Sequence, residues 1–208
     1  MPGITIRHRF LLIALLTGLS LFQLRGQDKP LFRSLKLTIG GGYGNYFNTF
    51  KNVLDEDVKN LNPSFFGRLT WEPEHRLKIG FESGYYMIYS TSRLEVGNTS
   101  RKLTTNMSAV PLFIVFGMKL TDHLDFDFST GGAVINYNIL TNNSKKNTVK
   151  GSTLSLADFA AGITWHIPLG KRFEIGSELK YMYLGKTADN HLSAFIDLSY
   201  RIVRKPVK

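Results

Sequence analysis

His191-Leu192-Ser193 sets an imidazole two residues from a hydroxyl. In an extended chain that spacing turns both side chains to one face, where a base can activate an oxygen nucleophile. Asp189 and Asp197 are the acids near enough in sequence to orient such a base. A second set is ionic: Arg68, Glu82, Lys119, Asp125, His166, Glu174, Glu178, Lys180, Asp197 and Arg201 lie among alternating apolar residues. The chain has no cysteine, and its five histidines form no metal-ligand spacing. Asp55-Glu56-Asp57 lacks the glycine and the spacing of a calcium loop. No metal and no cofactor is therefore expected.

These residues need strands to position them. Leu35, Leu37, Ile39 and Tyr43 alternate with Lys36, Thr38, Gly40 and Gly42, and Phe65, Leu69 and Trp71 with Phe66, Arg68 and Thr70. Leu77, Ile79, Phe81, Tyr85, Met87 and Tyr89 share one face of a third segment. Leu124, Phe126 and Phe128 oppose Asp125, Asp127 and Ser129. The rule returns around Phe159 to His166, Phe173 to Tyr183 and Leu192 to Arg201. Only Val110 to Lys119, apolar on both faces and holding Pro111, leaves its orientation open. Eight such segments between Leu35 and Ile202, joined alternately by short and long connections, predict an all-β, eight-stranded, antiparallel up-and-down barrel.

A soluble lipocalin-like carrier would turn the apolar rows inward, so the faces must be assigned. The polar rows are rich in Gly, Ser, Thr and Ala, which a narrow interior holds, whereas the apolar rows carry rings that need outer space. Trp71, Trp165, Phe173 and Tyr200 fall near the short joins, and Tyr43, Phe65, Tyr89 and Tyr183 near the long ones, as two interfacial girdles would. The joins at 73–75, 121–123 and 169–171 are all tight. A transmembrane barrel with short periplasmic turns and long extracellular loops follows. Residues 1–26, with Arg7 and Arg9 before the apolar run from Phe10 to Phe22, read as a cleaved secretory signal, leaving 27–208 as the barrel domain in the cell outer membrane.

Pairing across the tight joins then sets Lys119 opposite Asp125, His166 opposite Glu174 and Arg68 diagonal to Glu82, all facing inward. An unpaired charge in such a place is costly, so the expected reading is a plugged lumen filled by salt bridges, with Glu178, Lys180, Asp197 and Arg201 in the same network. The inward His191 and Ser193 would face away from acyl chains. A lipid A-modifying hydrolase is thus the alternative, and the expectation is no enzyme.

The segment Gln27-Asp28-Lys29 after the signal, the Gly40-Gly41-Gly42 strand, Val110-Pro111-Leu112 and the closing strand from Phe195 to Arg201 resemble the PorT-like outer-membrane β-barrel domain family. The resemblance spans the mature chain and implies fold and location, with little about activity. The chain carries 26 Lys plus Arg against 16 Asp plus Glu. Losing Arg7, Arg9 and Arg25 with the signal leaves 23 against 16, a net +7. For an exported chain the acidic neighbours are lipid phosphates and polysaccharide, so no nucleic-acid partner is expected. Residues 48–62 carry Phe50, Val53, Leu54, Val58 and Leu61 at helical spacing and predict a short amphipathic helix at the outer rim. Arg93, Arg101 and Lys102 in the loop 92–106, with Lys145, Lys146 and Lys150 in the loop 141–151, form two basic patches. They suit outer-membrane lipid, lipopolysaccharide or a protein partner of a monomeric barrel.

Overall fold

The computed structural model describes residues 32–47, 57–73, 76–95, 101–142 and 146–206. The expected signal at 1–26, residues 48–56 and Lys145 lie outside that set. Strands β1 (Phe32–Phe47), β2 (Asp57–Lys59), β3 (Leu61–Glu72), β4 (Leu77–Glu95), β5 (Arg101–Lys119), β6 (Leu124–Asn142), β7 (Lys146–Pro168), β8 (Phe173–Leu184) and β9 (Asp189–Pro206) make one sheet. Each long strand pairs antiparallel with its neighbours in sequence, and β1 also pairs with β9 from Phe32↔Pro206 to Phe47↔Asn190. β2 extends β3 along β4, pairing Asp57 with Ser92. The sheet is thus a closed barrel of eight staves, and closure satisfies the ladder without an open edge.

The alternation is carried by exposure. Ile39, Phe65, Phe81, Leu112, Ile163 and Ile196 point out, whereas Lys36, Arg68, Glu82, Asp127, Lys180 and Asp197 are buried inside. An apolar exterior over a charged interior is the inverse of a soluble carrier and defines a barrel that spans a bilayer. The open orientation of the β5 segment resolves the same way: Ala109, Phe113 and Val115 face in, Leu112, Ile114 and Phe116 out. Between β4 and β5 the register runs to Ser83↔Leu112 and resumes at Tyr86↔Ala109, so it steps over Pro111, which has no amide hydrogen to give.

One rim is closed by tight joins. In the join before β6, Thr121 Oγ1 accepts from the amides of His123 at 3.2 Å and Leu124 at 3.0 Å. In the join before β8, Gly170 has φ 133°, a conformation L side chains rarely adopt. At the other rim the segments read as loops are largely ladder. The β4–β5 hairpin is paired up to Glu95↔Arg101 and the β6–β7 hairpin up to Asn142↔Lys146. β5 and β6 run 19 residues and β7 runs 23, against the roughly 9–11 a tilted strand needs to cross hydrocarbon, so both hairpins stand well clear of the bilayer. The predicted helix at 48–62 is also corrected where it is described: 57–59 and 61–72 are strand, because pairing to β4 outweighs a short helical pattern.

Three irregularities change what the alternation says. A bulge between Met87 and Tyr89 turns Tyr89 to the interior, where it lies 5.1 Å from the Tyr46 ring, so it belongs to no girdle. Ala157, at φ 63°, is the extra residue between Gly131↔Asp158 and Gly132↔Leu156, and it lets Ser155 and Asp158 both point inward. Asp158 Oδ1 accepts from Ser155 Oγ at 2.5 Å and from the Gly185 amide at 2.7 Å, which ties the bulge to the β8–β9 turn. Ile202 is the third extra residue, and β9 continues beyond Tyr200 to Pro206.

Candidate functional site

Inward side chains stack in layers along the barrel axis. Nearest the tight turns, Lys36 Nζ lies 3.3 Å from Glu174 Oε2 and 3.7 Å from Glu72 Oε1. Arg201 also pairs with Glu174, and Ser34 donates to Glu72. Lys78 pairs with Asp125, whose Oδ2 is 3.4 Å from His166 Nδ1 without hydrogen-bond geometry. Lys119 stands opposite Asp125 in register, yet its ammonium reaches Glu72 at 3.8 Å. That contact is long and the side chain is 21% exposed. Lys119→Ala is therefore expected to change the unfolding free energy of the refolded barrel by less than about 1 kcal/mol, measured by urea titration.

The middle layer centres on Arg68. Its guanidinium donates to Glu82 Oε2, Asp127 Oδ2 and Glu178 Oε1, each at 2.7 Å. A planar cation with five donors suits three acids arriving from three staves. Lys180 Nζ closes the cluster, 2.7 Å from Glu82 Oε1 and 3.1 Å from Glu178 Oε1. Tyr86 donates its hydroxyl to Glu82 Oε1 at 3.3 Å. Between the two ionic layers lies a cavity of about 20 Å³, bordered by Thr38, Thr164, Asp125, Asp127, Glu178 and Asp197 among others. That volume suits about one water. Asp197 stands across from Gly40 and Gly176, makes no ion pair among the described residues, and leaves Oδ2 without a hydrogen bond.

Toward the hairpin rim the filling turns apolar and aromatic. Phe66 meets Phe195 edge to face at 5.0 Å, and Tyr86, Phe113, Ile135, Met182 and Leu184 pack in the same cluster. Lys180 Nζ sits 4.1 Å from the Phe66 ring centroid and Arg68 Cζ 5.0 Å, so this ring joins the two regimes by cation–π contact. An interior filled by salt bridges alone is thus corrected to an ionic half beneath an apolar half.

His191 and Ser193 do meet, with Oγ 2.9 Å from Nδ1. Each is 1% exposed, and Gly44 packs against the imidazole from β1. Nε2 has no hydrogen-bond partner among the described residues, and Asp189 accepts from the Tyr46 hydroxyl at 2.8 Å. A nucleophile needs substrate access, an orienting acid on its base and oxyanion donors. This pair has no opening to lipid.

Two sequence expectations shift by register. Arg68 is directly opposite Glu82 rather than diagonal to it. His166 faces Gly176, while Glu174 faces Pro168, because β7 and β8 pair two residues further along than the turn implied. Lys36, Glu72, Lys78 and Asp127 belong to the network but were not singled out in the sequence. Lys36, Lys78 and Asp127 stood in polar rows, and a census of every charge there would have found them. Of the rim candidates, Lys150 is exposed beside Gly151 and Ser152. Arg93, Arg101, Lys102 and Lys146 hold ladder positions at the hairpin tips.

An antiparallel barrel, closed, apolar outside and ionic within, defines a membrane-spanning β-barrel protein. Solved structures similar to it include OprG of Pseudomonas aeruginosa, at 10% identity and TM-score 0.47, covering 82% of this chain and 97% of that one. Ail, the attachment invasion locus protein of Yersinia pestis in complex with the heparin analogue sucrose octasulfate, gives 10% identity and TM-score 0.44 over 84% and 100%. The outer membrane protease OmpT of Escherichia coli gives 7% and 0.39 over 85% and 98%. No family model and no curated protein matches the chain.

Proposed function

We propose that the chain is a non-enzymatic outer-membrane barrel, related to the PorT-like group, whose leader at 1–26 is removed on export. Its lumen is plugged, and its role is structural or one of binding at the outer rim, toward outer-membrane lipid and lipopolysaccharide or a protein. The carrying observation is the Arg68 layer, where one cation from β3 takes carboxylates from β4, β6 and β8 and so spans the interior. A closed sheet offers no edge for strand pairing, which fits a monomer. In planar bilayers the refolded protein is expected to give no steady porin-sized conductance, and such a conductance would overturn the plug.

The catalytic alternative has its own test. Ser193→Ala is expected to leave the acyl content of cellular lipid A unchanged on expression of the barrel. Serine-dependent release of fatty acid, followed by mass spectrometry, would replace this reading with a hydrolase.

A further inference from the structure

The outward faces of β4 to β7 carry a feature that neither the lumen nor the hairpin tips account for. A hollow of about 350 Å³ is bordered by Tyr85, Ser108, Asn136, Asn138, Lys150 and Ser152. Asn136 pairs with Ser152 and Asn138 with Lys150 across β6 and β7, so their side chains lie roughly 5 Å apart on one face. None of these four makes a side-chain hydrogen bond to the barrel among the described residues. Polar groups on the lipid-facing side are acceptable only above the hydrocarbon. Counting from the outward Phe126 on β6, the roughly ten residues that cross the hydrocarbon end at Asn136. On β7 the exposed apolar row ends at Leu156 and Leu154, immediately before Ser152 and Lys150. The hollow is therefore at the depth of the outer-leaflet headgroups.

Closer to the tight turns, and sharing only β4 and β5 with it, is a second, apolar hollow of about 420 Å³ that reaches sideways to β3, where Gly67 and Ser83 sit among Leu69, Phe81, Leu112 and Ile114. Gly67 has no atom within 4 Å of the place a side chain would begin, so the notch exists because this residue has none. Ser83 is two residues from Tyr85 on β4, about 7 Å along the strand, and Leu112 is four from Ser108 on β5, about 13 Å. One amphiphile can fill both.

We infer that this wall binds one outer-leaflet lipid with a phosphorylated saccharide headgroup. Lys150 faces the phosphate, Asn136, Asn138 and Ser152 hydrogen-bond the sugar, and an acyl chain lies in the Gly67 notch. The amides and hydroxyls match sugar hydroxyls as donors and acceptors, and the ammonium matches the phosphate as a point charge. The inference deepens the lipid-binding part of the proposed function and rests on it.

The test uses the refolded full barrel in nanodiscs and native mass spectrometry. The probes are an acylated bisphosphorylated glucosamine disaccharide, its dephosphorylated form, its deacylated headgroup and phosphatidylglycerol. The phosphorylated glycolipid should be retained in preference to the other three. Lys150→Ala combined with Asn136→Ala should weaken it about tenfold, the scale of losing a hydrogen bond to a charged group. Gly67→Leu, or Ser83→Leu if the first does not fold, should weaken the glycolipid while leaving the headgroup's weak binding unchanged. Unchanged mobility of unboiled protein on a detergent gel shows that each variant is folded. Equal retention of the dephosphorylated form, of phosphatidylglycerol or of the free headgroup would overturn the assignment, as would retention insensitive to both variants. Silent planar bilayers and unaltered lipid A beside such a result would show that this site failed while the plugged, non-enzymatic reading stood.

Discussion

Arg68→Ala is expected to destabilise the folded barrel by about 3–5 kcal/mol, because it leaves carboxylates buried without their cation. Glu82, Asp127 and Glu178 converge on that guanidinium with side chains at most 4% exposed, and Lys180 contacts only two of them. Asp127 has no other ion pair among the described residues, so its charge is the one least compensated. The measurement is urea or guanidinium unfolding from lipid vesicles, followed by the mobility of unboiled samples. Neutralising the acids together with Arg68 should restore much of the loss, since a half-satisfied network is worse than a neutral one. A change below about 1 kcal/mol for Arg68→Ala alone would mean that water, not protein, solvates these acids.

Phe66→Ala is expected to cost a comparable amount, about 3–5 kcal/mol, by opening a cavity at the junction of the ionic and apolar halves. The ring is 4% exposed, packs edge to face on Phe195 and lies under Lys180 and Arg68. Phe66→Leu keeps most of the volume and loses the π face, so its smaller deficit isolates the cation–π part, on the order of 1–2 kcal/mol for a desolvated cation. Lys180→Met made in both backgrounds completes a double-mutant cycle. Additive effects across that cycle would show that the ring only fills space.

What the sequence by itself determined is what a period of two can carry. Every strand turns alternate residues to opposite faces, so Leu37, Ile39, Phe81, Phe128, Ile163 and Leu198 outside, and Arg68, Glu82, Glu178 and Lys180 inside, were legible residue by residue. Tight joins at 121–123 and 169–171 fixed which strands are neighbours, and His191 and Ser193 had to share a face. The pattern failed where the period itself is broken. The bulge at Met87 turned Tyr89 inward, and no residue type there announces a bulge. It also failed at a shift of two, which preserves the faces and so leaves no trace in the alternation, yet moves His166 from Glu174 to Gly176. Above all, only the tertiary structure decided which charges meet. Arg68 joins Glu82 14 residues away, but also Asp127 at 59 and Glu178 at 110, on staves that do not pair with β3. Which inward side chains share a level across the lumen depends on the tilt and stagger of the whole closed sheet, a property no single strand contains.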